Sequence, residues 1–149
     1  MTLAYVSSTL DNDLATTWSV LQDFHGLPTW VERIRESLPE DGEGHGAVGS
    51  IRRLTLGPDG RQVRERLVHY DAPSHRYSYE FAGENPFPVQ FYRGTVRLLP
   101  ITDTDATFIE WYGEFDTEPA LVDKLRSAFT GLYTEFIGDL RKHLASSTR

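Results

Sequence analysis

The sequence predicts an α+β protein in which a curled antiparallel sheet of six to seven strands surrounds one long C-terminal helix, with two short helices after the first strand. Between residues 47 and 116, short runs of alternating polarity are separated by turn signals, which is typical of consecutive antiparallel strands. After Pro119, apolar residues recur every three or four positions, which is typical of a helix. A single sheet and one helix can bury both apolar faces only if the sheet curls around the helix.

The N-terminal part of the chain predicts one strand and two short helices. Residues 3–10 alternate weakly in polarity and predict the strand. The cluster Asp11–Asp13 offers caps for the first helix, in which Trp18 is a candidate core residue. Residues 28–36 predict the second helix, and the glycine-rich, acidic stretch 39–46 predicts a turn.

The middle of the chain predicts five strands, and the last part predicts one helix. The clearest turn signal is Gly57-Pro58-Asp59-Gly60, between the first two of these strands. The helix covers about residues 119–145, and Ser146–Arg149 are expected to form a frayed tail. The strands are expected at residues 47–56, 61–70, 76–82, 89–99 and 106–116.

Charged residues indicate the register of the last hairpin. Pairing Arg97 with Glu110 and Arg93 with Glu114 places opposite charges across the strands on one face. The same register pairs apolar residues on the other face, which therefore points to the interior. These apolar residues are Tyr92, Val96 and Leu98, opposite Phe115, Trp111 and Ile109.

The first two hairpins extend this interior face with polar groups. Three arginines on one side of the first hairpin are tolerated only in water, so the opposite side, with Arg52 facing Glu65, is the interior side. The next hairpin places Leu67 opposite Tyr79 and His69 opposite Tyr77. A plain core would prefer aliphatic residues, which have no polar atoms to satisfy. Tyrosine hydroxyls and an ion pair inside the sheet therefore favour a hydrated or ligand-filled cavity.

Composition excludes several classes of function. The 149 residues favour a single domain spanning 1–149. There is no cysteine, which excludes thiol nucleophiles, cysteine-based metal sites and redox switching. Fifteen basic against 22 acidic residues give a charge of −7, which argues against nucleic acid or an anionic membrane as partner. The first residues lack the features of a signal peptide and no run is apolar enough to insert into a membrane, so we expect a soluble, cytoplasmic protein.

Metal and phosphate sites are not expected either. The histidines His25, His45, His75 and His143 show no metal-ligand spacing. The glycines at 42–49 precede a strand, whereas a phosphate-binding loop opens a helix. The sequence therefore predicts no cofactor and no metal.

Several stretches of the chain resemble a known family over about residues 3–145. The sequence resembles the bacterial SRPBCC branch of START-like proteins, the polyketide cyclase/dehydrase and lipid-transport family, which shares its fold with the birch-pollen allergen. Shared features include Gly49-Ser50-Ile51-Arg52, Arg64 to Leu67, Trp111 and Phe115. Many relatives follow the Trp equivalent to Trp30 with a His-Pro-like pair, whereas Val31-Glu32 stand here, so no role of that histidine carries over. The stretches that carry the resemblance are 16–34, 46–71, 76–81, 85–100 and 107–116.

The resemblance implies a helix-grip fold that binds a hydrophobic, aromatic or polyketide-like small molecule, as a monomer or homodimer. It also implies possible turnover by cofactor-free cyclisation or dehydration. In that hypothesis Glu65 is the base, Arg52 stabilises an oxyanion, and Tyr79 and Tyr92 orient the substrate. The alternatives are a non-catalytic carrier or sensor of lipid-like ligands and, less favoured by the polar inner face, a protein-interaction module.

Each of these residues also has a purely structural interpretation. Arg52 and Glu65 could form a structural ion pair, Tyr79 and Tyr92 could be cavity wall, and His69 could be a rim residue. Trp30 is either a gate at the cavity mouth or a core residue. The remaining expected substrate-binding residues are Trp30, Leu54, Leu67, His69, Tyr77, Phe81, Val96, Trp111, Phe115, Phe129 and Tyr133.

Overall fold

The computed structural model describes residues 1–40 and 46–147, and in this part of the chain it contains seven strands and two α-helices. The helices are α1 (Leu14–Leu21) and α2 (Val122–Ser147). Single 3-10 turns at Leu27–Thr29 and Pro119–Leu121 precede β2 and α2. The strands are β1 (Thr2–Leu10), β2 (Ile34–Pro39), β3 (Ile51–Leu56), β4 (Gln62–Asp71), β5 (Arg76–Phe81), β6 (Phe91–Ile101) and β7 (Ala106–Asp116).

The seven strands form one antiparallel sheet in the order β1-β7-β6-β5-β4-β3-β2. The sheet curls around α2, which confirms the predicted α+β, helix-grip architecture. Helix α2 buries one stripe of side chains spaced by three or four residues, as its sequence pattern predicts. Within the described residues, neither α-helix combines the length and the apolarity that crossing a bilayer requires. The stripe consists of Leu125, Phe129, Tyr133, Phe136, Leu140 and Leu144.

Two local features of the fold agree with their sequence signals, namely the start of α1 and the register of the last hairpin. Asp13 caps α1 as predicted, because its side chain accepts a hydrogen bond from the Thr16 N–H at 3.2 Å. The predicted register of the β6–β7 hairpin is confirmed by the pairing of Arg93 with Glu114 and Arg97 with Glu110.

The β3–β4 hairpin also has its predicted register. Arg52 lies opposite Glu65, and Leu54 lies opposite Val63. The strands β3 and β4 thus bring an oppositely charged pair to the inner face of the sheet.

The predicted second helix over residues 28–36 is wrong beyond its first turn. Only Leu27–Thr29 are helical, and the chain continues as β2, which pairs with β3 at the edge of the sheet. Trp30 and Ile34 are four residues apart, which suits a helix, and both are buried, but Ile34 already belongs to β2. Backbone pairing with β3 satisfies the peptide groups of this stretch and outweighs its apolar spacing.

The predicted position of His69 is also wrong. A bulge between Leu67 and His69 shifts the β4–β5 register, so that Tyr70 rather than His69 pairs with Tyr77. The rings of Tyr70 and Tyr77 stack with centroids 6.0 Å apart. This stacking buries more apolar area than an imidazole would, and His69 is left exposed on the outer face of the sheet.

The open edge of β1 is contacted by two arginines of α2. Among the described residues, strand β1 pairs only with β7, so its other side is an edge of the described sheet. Arg126 Nε donates to the Leu3 carbonyl at 3.3 Å. Arg141 Nη2 donates to the Thr9 carbonyl at 3.1 Å. The helix therefore hydrogen-bonds both ends of this edge.

Two predicted segments fall partly outside the described residues. Of the predicted turn over 39–46, residues 41–45 lie outside them, and so does the histidine at position 45. Of the predicted frayed tail, positions 148 and 149 lie outside them, while α2 continues to Ser147.

Candidate functional site

An internal cavity of about 280 Å³ lies between the inner face of the sheet and α2. Its wall is largely apolar and aromatic, with one ion pair and two tyrosines. The volume lies just below the range of about 300–1,000 Å³ for ligand pockets. The wall consists of Leu27, Val31, Arg33, Ile34, Arg52, Leu54, Leu56, Arg61, Val63, Glu65, Tyr79, Phe81, Pro86, Phe87, Tyr92, Trp111, Phe129, Leu132 and Phe136.

The buried charged groups of the wall are Arg52 and Glu65, held side by side by β3 and β4. Arg52 is 1% exposed, and its Nε and Nη2 donate to Glu65 Oε1 at 2.9 and 2.7 Å. Its Nη1 donates to the Phe24 carbonyl at 2.7 Å. The guanidinium lies over the Phe24 ring, 4.0 Å from the centroid, and 5.1 Å from the Tyr79 centroid. Arg52 is therefore fixed by bonds in its plane and rings across its faces.

Only one oxygen of Glu65 is engaged by this arrangement. Both bonds from Arg52 end on Oε1, and none of the described residues donates to Oε2. Burial opposes the charge of Arg52, but the nearby Glu65 carboxylate, together with Tyr77 and Tyr79, raises the pKa of Arg52 overall. Arg52 therefore keeps its charge beside Glu65, and Glu65 Oε2 is available to the cavity.

Tyrosine hydroxyls form the second polar feature of the site. Trp111 Nε1 donates to the Tyr79 hydroxyl at 3.0 Å, and the Tyr92 and Tyr133 hydroxyls hydrogen-bond to each other. Burial raises the pKa of Tyr79, and it raises those of Tyr92 and Tyr133 well above the ordinary value. These hydroxyls are therefore neutral at physiological pH and act as hydrogen-bond donors.

Two glycines face each other beneath the tyrosines. Gly94 of β6 pairs with Gly113 of β7 on the inner face. A Cβ at Gly94 would lie 2.5 Å from Tyr79 Cζ, and a Cβ at Gly113 would collide with the Tyr133 hydroxyl. Because glycine has no side chain, Gly94 and Gly113 leave the space in which the tyrosine rings pack. The predicted site did not include these glycines, although the predicted register places them directly opposite each other.

Replacing Gly113 by alanine is expected to lower the free energy of unfolding by about 1–3 kcal/mol, because the new methyl group overpacks against buried Tyr133. Guanidinium denaturation followed by circular dichroism measures the loss. Gly138→Ala is the matched control, since nothing lies within 4 Å of its Cβ position and alanine favours a helix. In a Tyr133→Phe background the loss should shrink, and an unchanged loss would refute the clash with the hydroxyl.

Partly exposed wall residues mark the entrance of the cavity. Arg61, the residue before β4, donates from Nη2 to the Pro86 carbonyl at 2.9 Å, which ties the β3–β4 turn to the β5–β6 loop. Arg33 forms an ion pair with Glu135 of α2. The entrance is thus bounded by two arginines, one of them paired with a carboxylate.

The structure brings eight of the expected site residues together in the cavity wall. The others, apart from His69, are buried behind this wall. Trp30 packs against Trp111 with ring centroids 6.3 Å apart, and its Nε1 has no hydrogen-bond partner among the described residues. The eight wall residues are Arg52, Leu54, Glu65, Tyr79, Phe81, Tyr92, Trp111 and Phe129. The residues behind the wall are Trp30, Leu67, Tyr77, Val96, Phe115 and Tyr133.

Sequence reasoning missed other parts of the wall. Val63 lies opposite Leu54 in the predicted register and could have been found from it. Leu132 and Phe136 belong to the α2 region, where the helical repeat was a usable signal. Leu27, Val31 and Ile34 lie in the segment whose structure was mispredicted.

Metal binding has no evident site in the described part of the chain. Across residues 1–40 and 46–147, no three histidine, aspartate or glutamate side chains lie close enough to share an ion.

A curled sheet that grips a long helix around an aromatic cavity defines a helix-grip protein. The sequence profile of the polyketide cyclase/dehydrase and lipid transport family matches residues 1–145. The chain belongs to this family, as the sequence resemblance predicts. No curated protein matches the sequence.

Solved structures show the same fold. XoxI from Bacillus cereus is 25% identical, with a TM-score of 0.84 over 100% of this chain and 99% of that one. An uncharacterised protein from Bacillus thuringiensis is 24% identical, with a TM-score of 0.82 over 97% and 99% of the two chains. Ara h 8.0201 is 17% identical, with a TM-score of 0.76 over 97% and 98%. The fold therefore persists while most of the sequence changes.

Proposed function

We propose that the chain is a single ligand-binding domain that takes up an aromatic or polyketide-like small molecule in its internal cavity. The observation that carries this proposal is the cavity itself, which lies between sheet and helix and has aromatic walls and one buried ion pair. Apolar walls supply binding free energy, and a few fixed polar groups supply orientation. Membership in a family described by polyketide cyclisation and lipid transport supports the same function.

Filling the cavity is expected to weaken this binding. Val63→Trp should weaken binding of the neutral dye N-phenyl-1-naphthylamine at least about tenfold, which corresponds to about 1.4 kcal/mol. Dye fluorescence during titration gives the affinity. Val68→Trp is the matched control, because Val68 lies on the same strand but lines a groove on the outer face. Equal affinities of the two variants would place the dye outside the cavity and contradict the proposal.

A second candidate function is cofactor-free dehydration or cyclisation, favoured by the free oxygen of Glu65. Glu65 Oε2 would remove the proton beside a substrate carbonyl, while a tyrosine hydroxyl donates to the carbonyl oxygen. In a dehydration, the C–H electrons form the new double bond as the neighbouring C–O bond breaks. The proton held by Glu65 passes to the departing hydroxyl, and water leaves. Arg52 is committed to Glu65 and Phe24, so its main role is to hold the base.

Glu65→Gln tests the base directly. If turnover occurs, this isosteric change should lower its rate about 100-fold or more, because a general base contributes about that much. Product formation is followed by chromatography, with circular dichroism to verify the fold. A loss of about tenfold or less would exclude Glu65 as the base.

Native mass spectrometry separates catalysis from simple carriage. The protein is incubated with a metabolite extract, and the retained molecule is weighed before and after release. An unchanged mass on long incubation supports a carrier or sensor, whereas loss of water or a separable isomer supports dehydration or cyclisation. Failure to retain any small molecule would contradict both and favour a protein-interaction module.

A further inference from the structure

We propose that the ligand is uncharged and carries both a hydroxyl, which donates to Glu65 Oε2, and a carbonyl, which accepts from the tyrosine hydroxyls; a carboxylate head group is rejected. This inference rests on the proposed binding function and specifies the chemical class that the cavity selects. It follows from which polar atoms of the wall remain uncommitted.

The acceptor side of the cavity is Glu65 Oε2. Its partner oxygen, Oε1, accepts both bonds from Arg52, and none of the described residues donates to Oε2. A ligand hydroxyl would supply the missing donor. A ligand carboxylate would instead bring a second negative charge against this oxygen, where the low dielectric makes the repulsion strong. The charge of Arg52 is already balanced by Glu65.

The donor side of the cavity is the tyrosine cluster. The hydroxyls of Tyr79, Tyr92 and Tyr133 hold three hydrogens, and the bond between Tyr92 and Tyr133 uses one of them. Tyr79 accepts from Trp111, so its own hydrogen is not used in that bond. When Tyr133 is the donor to Tyr92, the hydrogen of Tyr92 is free of that bond. Even if Tyr79 also donates to Tyr92, the hydrogen of Tyr92, which lies in the cavity wall, remains for an acceptor. A ligand carbonyl fits this requirement, since it accepts and cannot donate.

The two sides are close enough for one small ligand. Glu65 and Tyr79 lie on neighbouring strands, where Glu65 pairs with Phe81 and Leu67 pairs with Tyr79. Diagonal neighbours of this kind lie roughly 7–8 Å apart, with their Cβ atoms somewhat closer. A hydroxyl and a carbonyl on one fused two-ring system can address both, and the cavity of about 280 Å³ suits a ligand of that size.

Four compounds built on one ring system test the inference by calorimetric titration of the wild-type protein. They are 6-acetyl-2-naphthol, 2-naphthol, 2-acetonaphthone and 2-naphthoate. We expect 6-acetyl-2-naphthol to bind most tightly, about tenfold more tightly than 2-acetonaphthone, which lacks the donor. We expect 2-naphthoate to bind about tenfold or more weakly than 2-naphthol. Glu65→Gln should remove most of this discrimination against the anion, and Glu114→Gln on the outer face should preserve it.

The outcomes distinguish this inference from the function on which it rests. If 2-naphthoate binds as well as 2-naphthol, the inference is wrong while cavity binding stands. Loss of that naphthoate affinity in Arg61→Gln would then assign the anion to the entrance. If none of the four binds to the folded wild-type protein and N-phenyl-1-naphthylamine does not bind either, the proposed function itself is overturned.

Discussion

Replacing Arg52 by methionine is expected to lower the free energy of unfolding by about 3–5 kcal/mol. The change leaves the Glu65 carboxylate inside the protein without its counter-charge, and Glu65 is only 9% exposed. It also removes the donor to the Phe24 carbonyl. Guanidinium denaturation followed by tryptophan fluorescence measures the loss.

The neighbouring residue provides the control for this experiment. Arg53→Met removes an arginine from the same strand, but Arg53 is exposed and its ion pair with Glu40 spans 3.5 Å. Its effect should stay within about 1 kcal/mol. The double variant Arg52→Met with Glu65→Leu should recover much of the stability, because no charge is left unpaired. If the double variant were as unstable as Arg52→Met, the cause would be lost packing rather than an isolated carboxylate.

Alkaline pH is expected to destabilise the protein steeply, because four buried tyrosines resist ionisation in the folded state. Burial raises the pKa of Tyr77 to about 12 and also raises those of Tyr79, Tyr92 and Tyr133. In the unfolded chain these groups ionise near pH 10. The folded state therefore binds more protons above pH 10. Their contribution to stability is complete below pH 10 and is lost as the pH rises through 12.

The expected slope is about 1.4 kcal/mol per pH unit for each tyrosine that ionises only on unfolding. Urea denaturation between pH 9 and 11.5 gives the slope, and tyrosinate absorbance counts the ionised groups before and after unfolding. Tyr133→Phe should reduce both the slope and the absorbance step by one group. Ionisation of all seven tyrosines near pH 10 with native circular dichroism intact would contradict the burial of these hydroxyls.

Opposite charges made the fold predictable where they fixed the strand register. One alignment of β6 on β7 pairs both Arg93 with Glu114 and Arg97 with Glu110, and it also puts the aromatic residues on the inner face. The same logic identified Arg52 and Glu65 from the three arginines that must face water. The helix α2 was predictable because its apolar repeat continues for many turns.

The errors occurred where tertiary pairing overrides local pattern. Trp30 and Ile34 have helix-like spacing, but backbone pairing with β3 makes Ile34–Pro39 a strand. The bulge beside His69 has no glycine or proline to announce it, yet one extra residue moves a side chain to the opposite face. Gly94 and Gly113 were not predicted for a different reason. Glycine has no side chain, so a pattern of polar and apolar residues does not mark it as part of a site.

The two arginines on the open edge of β1 bear on how copies of the protein meet at high concentration. Residues 2–10 contain no charge and no proline, and such an edge is a template on which another molecule can add a strand. Arg126 and Arg141 occupy carbonyls near both ends of this edge, so an incoming strand would have to displace two cations. The helix that encloses the cavity thereby also protects the sheet from polymerising through its first strand.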